Sequence, residues 1–373
     1  MQQTSIGEQL IIAGSGLEAI ARKVTNGERL SFEEGCALYR TQNLHALGWL
    51  ANLVRERLHG DRAYFIYNQH VNYSNVCVNG CTFCAFGKEA GQPGAYEMTV
   101  EEVAGKVRAR MDEPITELHI VGGCHPTLPF DYYLNMLRAV KALRPECHIQ
   151  GFTCVEIAYF GELYGMSVPE VLARLSEAGL GSLPGGGAEV FSPRVRQALC
   201  AKKLSADGWL EVARQAHRLG MRTNATMLYG HIETIEERVE HLIRLRQLQD
   251  ETGGFLTFIP LAFHPENTRL THLAAPTGLD ELRTTAVARL MLDNFPHIKS
   301  FWVMSSPKVA QISLHFGADD IDGTVIEERI THMAGAQTAE SLARDELVRL
   351  IREAGRRPVE RDTLYEHLTE CAA

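Results

Sequence analysis

No apolar run in this 373-residue sequence approaches the ~18 residues that a membrane-spanning helix needs. The N-terminal residues Met1 to Glu8 have neither the basic start nor the long apolar stretch of a secretory signal. Positive charge is also short: 37 Lys and Arg stand against 46 Asp and Glu, for a formal net charge of -9. A general nucleic-acid binder needs a basic face, so that class is not expected. These absences point to a cytoplasmic chain with no membrane insertion and no nucleic-acid partner. Low-complexity tracts, solenoid repeats, Pro/Ser-rich linkers and the G-x-G-x-x-G dinucleotide fingerprint are missing too. Nine cysteines are too few at this length for a disulfide scaffold.

What is present is a 45% hydrophobic composition, enough for a sizeable core. From Gly7 to Gly60 the pattern is helical, with Ala37, Leu38, Leu44, Leu47, Leu50 and Val54 near a 3.6 period. From Ala63 onward short apolar runs alternate with helical stretches. Strands are expected over 63–73, 117–121, 148–156, 181–183, 222–229, 255–263, 300–304 and 312–316. Helices are expected over 130–143, 168–178, 206–219, 235–250 and 279–294. Thr99 to Glu102 has capping-box spacing, and Gly179 and Gly220 stand where helices end. Alternation of this kind implies a parallel sheet with helices outside. About eight such units in roughly 260 residues is the size of an α/β fold of TIM type, a (β/α)8 barrel. The expected division is an N-terminal helical extension over 1–62, the barrel over 63–324, and a C-terminal helical extension over 325–373. Leu342, Leu347, Leu350 and Ile351 form the apolar stripe of that last segment.

Three cysteines crowd into Cys77-Val78-Asn79-Gly80-Cys81-Thr82-Phe83-Cys84, a C-x3-C-x2-C run directly after the first expected strand. Three thiolates on one loop can hold three irons of a 4Fe–4S cluster, leaving the fourth iron open to a small molecule. A structural zinc wants four ligands, usually in two separated pairs. His70 could serve as a fourth ligand but sits upstream within the strand run. At the C-terminal ends of expected strands stand His125, Glu156, Asn224, His231 and His264, where barrels keep their active-site groups. Cys124 and Cys154 belong to no ligand spacing and are expected to pack as small apolar side chains.

The C-x3-C run followed by an aromatic residue and a third cysteine resembles the signature of the radical S-adenosylmethionine (SAM) superfamily. That resemblance implies that Cys77, Cys81 and Cys84 hold the cluster and that Phe83 fills the aromatic position beside it. The open iron would chelate the amino and carboxylate groups of SAM. One electron from the cluster, once reduced by an unidentified one-electron donor, would then cleave the sulfonium to methionine and a 5′-deoxyadenosyl radical. Gly122-Gly123 resembles the pair that admits the methionine amino group, although an ordinary strand-ending turn would use the same residues. Pro184 to Glu189 resembles the ribose-binding segment, with Glu189 accepting hydrogen bonds from the hydroxyls; a solvated loop glutamate is the plainer alternative. Thr226 to Glu233 partly matches the G-x-I-x-G-x-x-E segment near the adenine: Gly230 and Glu233 match, while Thr226 replaces the first glycine.

The likeness extends past the cysteines. Segments Phe152 to Ile157, Leu183 to Glu189, Asn224 to His231 and Phe316 to Thr324 are similar to the menaquinone-pathway enzymes of the futalosine route. Relatives in that group include dehypoxanthine futalosine cyclase and the deazaflavin-chromophore synthases, which abstract hydrogen. Asp322-Gly323-Thr324 and His332 to Ala336 are most similar to the aminodeoxyfutalosine synthase family. The resemblance then implies addition of the 5′-deoxyadenosyl carbon to the enol ether of 3-[(1-carboxyvinyl)oxy]benzoate. SAM is consumed as a cosubstrate, and 6-amino-6-deoxyfutalosine, methionine and bicarbonate are formed. A substrate with two carboxylates on an acidic protein needs local cations or donors. Arg196, His125, His231 and His264 are candidates. An iron–sulfur electron carrier or a zinc-binding module would instead use four protein ligands.

Overall fold

Among the described residues the first helices with defined bounds are α1 (Glu18–Asn26), α2 (Phe32–Arg40) and α3 (Leu44–His59). The structure, a computed structural model, describes residues 12–371. The N-terminal sequence read above and the start of the helical run at Gly7 lie outside the described residues. Each helix boundary has a local cause. Ser31 and Glu34 cap α2 reciprocally, and the Asn43 side chain accepts the Ala46 N–H to open α3. Leu38, Leu47 and Leu50 are fully buried in a core that these helices share with the barrel.

Two strands follow at once, β1 (Arg62–Ile66) and β2 (Asn68–Val71). The strand expected over 63–73 is thus broken at Tyr67, and its halves join different sheets. The barrel is built from β2, β3 (Glu117–Ile120), β4 (His148–Gly151), β5 (Ser182–Leu183), β6 (Arg222–Tyr229), β7 (Phe255–Ala262) and β8 (His297–Ile298), all parallel and in sequence order. Between them run α4 (Val100–Arg108), α5 (Phe130–Leu143), α6 (Cys154–Tyr164), α7 (Val168–Glu177), α8 (Pro193–Cys200), α9 (Ala206–Arg218), α10 (Ile235–Thr252) and α11 (Gly278–Met291). Capping boxes at Thr99, Thr153, Ser167 and Thr234 start four of these. Beyond β8 the expected strands 300–304 and 312–316 are helical: α12 (Trp302–Ser305) and α13 (Pro307–Ser313). Ser306 (φ 83°) turns the chain, Pro307 opens α13, and Ala310, Ser313 and Leu314 are buried at helical spacing.

The true next strand is β9 (Asp320–Gly323), whose acidic sequence disguised it. It lies against β1, which pairs on its other side with β10 (Arg357–Arg361); β10 in turn pairs antiparallel with β11 (Leu368–Glu370). Single bridges from Lys299 to Asp320 and from Gln69 to Ile326 close the gap between β8 and β2, so this stretch is the eighth stave. The 325–373 tail is therefore not wholly helical. After α14 (Ile330–Met333) and α15 (Arg344–Glu353) it supplies two strands of the four-stranded sheet. Leu347 and Ile351 of α15 pack with Phe65, Trp302 and Ile321 in a second core.

Buried charge pins this unit to the barrel. The Arg361 guanidinium donates to Asp320 at 2.5 Å and the Tyr365 hydroxyl to the same oxygen at 2.7 Å. The neighbouring Asp319 accepts from Arg289, from the Ile298 N–H at 2.8 Å and from His297 at 2.6 Å. Asp319 and Asp320 are tolerated here because both carboxylates are fully partnered.

Candidate active site

A cavity of about 330 Å³ opens at the C-terminal ends of the barrel strands, the end at which barrels carry their chemistry. Its rim includes the loop after β2. That loop is tied down on several sides. The Cys77 N–H donates to the Lys88 carbonyl at 2.8 Å, Val78 N–H to Cys124 at 3.1 Å, and Thr82 N–H to Leu199 at 2.8 Å. Arg269 donates its own N–H to Thr82 at 3.0 Å and its guanidinium to the Gly80 carbonyl. Cys77, Cys81 and Cys84 are half-buried, free of disulfides and on the cavity wall. Cys84 Sγ accepts the Gly87 N–H at 3.3 Å, and a Cβ at Gly87 would stand 3.6 Å from it. A hydrogen bond from Cys124 draws the Cys77 thiol down to about 5, against the effect of burial. Three thiols on one braced loop, one of them already receiving a backbone N–H, suit an iron–sulfur cluster. His70 is not part of the loop; it lies in β2 and stacks on His119 at 4.4 Å. Cys124 is buried, as expected, but it lines the cavity, and its sulfur accepts from the Asn79 amide at 3.3 Å.

Gly122 and Gly123 line the cavity, and close backbone approach explains both. A Cβ on Gly123 would lie 2.2 Å from the Val76 carbonyl oxygen and 2.9 Å from Cys77 Cβ. One on Gly122 would lie 2.6 Å from the Tyr73 ring. The Gly122 N–H donates to Glu156 Oε1 at 3.1 Å, and the Tyr73 hydroxyl to the same oxygen at 2.8 Å. Glu156 Oε2 completes the cap of α6 by accepting the Thr153 N–H at 2.7 Å. Glu156 is thus a fully bonded bracket between the ends of β3 and β4; burial pushes its carboxyl up to about 7 against those hydrogen bonds.

Across the cavity stands Glu189, held at φ 51°, a left-handed conformation uncommon for a side chain with a Cβ. Gly185 and Gly187 before it allow that path: a Cβ would meet the Ala225 backbone at 2.7 Å and Val155 at 2.4 Å. Lys203 donates to Glu189 Oε1 at 2.6 Å and lies 5.5 Å from the Phe83 ring centroid, so Phe83, Lys203 and Glu189 form one edge of the site. Arg196 does not reach the cavity wall. Its guanidinium holds the carbonyls of Ala188, at 2.7 Å, and Leu204, fixing the segments that carry Glu189 and Lys203.

Of the other candidates, Asn224 and His264 line the cavity. Asn224 donates to Gln150 at 3.2 Å, and His264 Nε2 meets the Met304 carbonyl at 3.0 Å. His125, His231 and Glu233 lie outside it. His125 Nδ1 accepts the N–H groups of Thr127 and Leu128, both at 3.2 Å, while Nε2 pairs with Glu97 at 2.6 Å. His231 is sealed in the turn after β6, with Nε2 2.9 Å from the Leu228 carbonyl. Glu233 closes that turn, accepting from Gly230 N–H at 2.5 Å and Arg238 Nε at 2.8 Å. Burial opposes its charge, but His231 and Arg238 hold its carboxyl down to about 2.

Sequence reasoning missed Lys203, His119, Gln150 and Lys299 on the cavity wall, and it gave His70 only as a possible metal ligand and Asp322 only as part of a family segment, although both line the cavity too. A signal did exist for some of them. Asn68 and His70 alternate in β2 as Glu117 and His119 do in β3, and the strands pair Asn68 with Glu117 and His70 with His119. Polar residues at the inward period of two adjacent strands mark a polar barrel interior.

The C-terminal segment completes the wall through Glu328, Ile330, Thr331 and Ala334. His332 braces it, with Nδ1 3.1 Å from Glu328 Oε2 and Nε2 3.1 Å from the Thr338 carbonyl. The Glu328 hydrogen bond lifts the His332 pKa from 6.5 to about 9. The resulting stabilisation is whole below the ordinary histidine value and is lost as pH rises through about 9. Melting temperatures of the native protein and His332→Gln are expected to differ below neutrality and to converge as pH passes about 9.

Comparison with known proteins places this geometry. The family model described as the radical SAM superfamily matches residues 71–245, which include the whole cysteine loop. A second, described as the CofH/MqnC C-terminal region, matches residues 252–372. The aminodeoxyfutalosine synthase of Thermus thermophilus is 52% identical over 353 residues, covering 94% of this chain and 95% of that one. The chain belongs to the radical SAM superfamily. It is a radical SAM enzyme of the branch that shares this C-terminal region. Within the branch, the 5-amino-6-(D-ribitylamino)uracil–L-tyrosine 4-hydroxyphenyl transferase of Methanopyrus kandleri is 43% identical, covering 85% of this chain and 87% of that one. The cyclic dehypoxanthine futalosine synthase of Halalkalibacterium halodurans is 37% identical, covering 94% of each chain. Among solved structures, methylornithine synthase superposes with a TM-score of 0.71 at 20% identity, covering 91% of this chain and 97% of that one, which supports the barrel fold. The second match begins at the end of α10, so the branch-specific part takes in β7, β8 and three strands of the four-stranded sheet, β9, β10 and β11.

Proposed function

We infer that the chain carries out the reaction of the aminodeoxyfutalosine synthases, joining the adenosyl group of SAM to 3-[(1-carboxyvinyl)oxy]benzoate in menaquinone biosynthesis. The observation that carries this reading is the 52% identity over 94% of the chain, against 43% and 37% for relatives with other activities. The products are 6-amino-6-deoxyfutalosine, methionine and bicarbonate. Cys77, Cys81 and Cys84 would hold a 4Fe–4S cluster, which, when bound, supplies the single electron that cleaves the sulfonium. A separate one-electron donor must deliver that electron. The reaction belongs in the cytoplasm; no helix among the described residues is long and apolar enough to cross a membrane.

The chain's own residues then divide the work. Gly123 lets the cysteine loop lie against the end of β3, and Phe83 closes the site beside the thiols. Lys203 holds one oxygen of Glu189, leaving the other to accept from the ribose hydroxyls. Gly122 and Gly123 keep the space beside the loop free for the methionine end of SAM. Glu233 acts at one remove, by shaping the turn that would face the adenine. Ile259, Leu261, Phe263 and Phe301 give the cavity an apolar wall that keeps water from a reactive radical.

SAM labelled in its ribose tests this reading in an anaerobic reaction. Label is expected in a larger aromatic product, by mass spectrometry, with release of bicarbonate. Label only in free 5′-deoxyadenosine, with the enol-ether substrate present, would instead indicate a hydrogen-abstracting enzyme of the dehypoxanthine futalosine or deazaflavin type.

A further inference from the structure

The polar interior of the barrel holds a group of donors that the assigned roles leave unused. His70 and His119 pair in register on β2 and β3, their rings stacked 4.4 Å apart and 13° from parallel. Both face the cavity. Neither imidazole has a hydrogen-bond partner among the described residues, although His70 is only 7% exposed. Beside them is Lys299, at the end of β8 and 5% exposed, whose ammonium makes a single 3.3 Å contact with Asp322 Oδ1. Buried polar groups in folded proteins are nearly always satisfied, so unpaired imidazoles and a half-used ammonium on one cavity wall mark a ligand seat.

We propose that His70, His119 and Lys299 seat the ring carboxylate of the substrate. This assignment rests on the functional reading above. It follows from elimination and from the shape of the substrate. Among cations and imidazoles on the cavity wall, Lys203 is bound to Glu189 and His264 to the Met304 carbonyl. Arg196, His125 and His231 are engaged away from the cavity. The substrate's reacting vinyl carbon and its ring carboxylate are at opposite ends of the molecule. The vinyl end must meet SAM beside the cysteine loop, beyond the strand ends. The ring carboxylate is then carried inward, to the strand residues where His70, His119 and Lys299 sit. Two carboxylates, Glu117 and Asp322, also line this end of the cavity. Lys299 offsets both: burial pushes the Asp322 carboxyl up, while against burial Lys299 and Arg361 hold the Glu117 carboxyl down.

The test uses the cluster-loaded enzyme and the variants His70→Gln, His119→Gln, Lys299→Met and Lys299→Arg. Two probes compete with the substrate: 3-hydroxybenzoate, and 3-hydroxybenzamide, which has the same shape without the charge. The native enzyme is expected to prefer the carboxylate, and each Gln or Met variant to lose about tenfold or more of that preference, with KM rising more than kcat falls. Lys299→Arg, which keeps the positive charge beside Asp322, is expected to restore most of it. Lys299→Met leaves Asp322 unpaired and can unfold; iron content and melting temperature identify that case, and the two histidine variants then decide. Folded His70→Gln and His119→Gln enzymes with native KM and native carboxylate preference overturn the seat while leaving the function standing. A native enzyme that makes no adduct overturns the function, and the assignment falls with it.

Discussion

Cys77→Ala, Cys81→Ala and Cys84→Ala are each expected to abolish adduct formation, whereas Cys36→Ala and Cys371→Ala leave it largely intact. The first three thiols share one loop and one cavity wall. Removing any of them exposes a second iron and leaves the cluster short of ligands, so an intermediate activity is not expected. Cys36 is buried in α2, where alanine loses only a small packed sulfur, and Cys371 contacts Arg344 at 3.5 Å far along the chain in the second core. Anaerobic reconstitution followed by iron, sulfide and turnover measurements checks all five. A Cys81→Ala enzyme with full iron and sulfide content and normal turnover would refute the assignment. Stoichiometric zinc without sulfide in the native protein would turn the loop into a structural metal site.

Gly123→Ala is expected to approach the cysteine variants in severity without touching a ligand. The added Cβ would stand 2.2 Å from the Val76 carbonyl oxygen and 2.7 Å from its carbon, both backbone atoms with no rotamer to escape into. Relief must come from moving Val76, and Cys77 moves with it. Overpacking of this kind costs about 1–3 kcal/mol in stability. The larger loss is in cluster retention, because a ligand is displaced. Gly105→Ala is the matched control: it lies within α4, and a Cβ there meets nothing within 4 Å. That exchange should stabilise the helix by up to about 1 kcal/mol and leave iron content unchanged. Equal iron content in the two variants would show that the Gly-Gly pair serves only a turn.

The cysteine loop was legible because its chemistry is local: three ligands fall within eight residues, and no tertiary contact is needed to bring them together. The helix starts at Thr99 and the strands over 222–229 and 255–262 were legible for the same reason, since caps and apolar runs act on their own neighbours. The errors lie where distant partners override local preference. Asp320-Ile321-Asp322-Gly323 is a poor strand by composition, yet it closes the barrel because Arg361 and Tyr365, some forty residues on, satisfy Asp320. Phe301 to Met304 is apolar enough for a strand, but Trp302 and Val303 bury as a short helix in the second core.

The sequence by itself determined the fold class, the cluster loop and the kinship that names the chemistry, since each rests on short-range spacing or on summed similarity. Only the tertiary structure decided which polar residues meet. His125, Arg196, His231 and Glu233 stand at plausible positions along the chain, yet their side chains turn to backbone groups and nearby acids. Lys203 finds Glu189 across a helix and a loop, and Lys299 comes beside His70 and His119 where the ring of strands closes on itself, from the opposite end of the barrel sequence. The physical reason is the closure of the barrel. Inward side chains from strands more than two hundred residues apart in sequence share one small volume, and no local pattern specifies which of them will be left there without a partner.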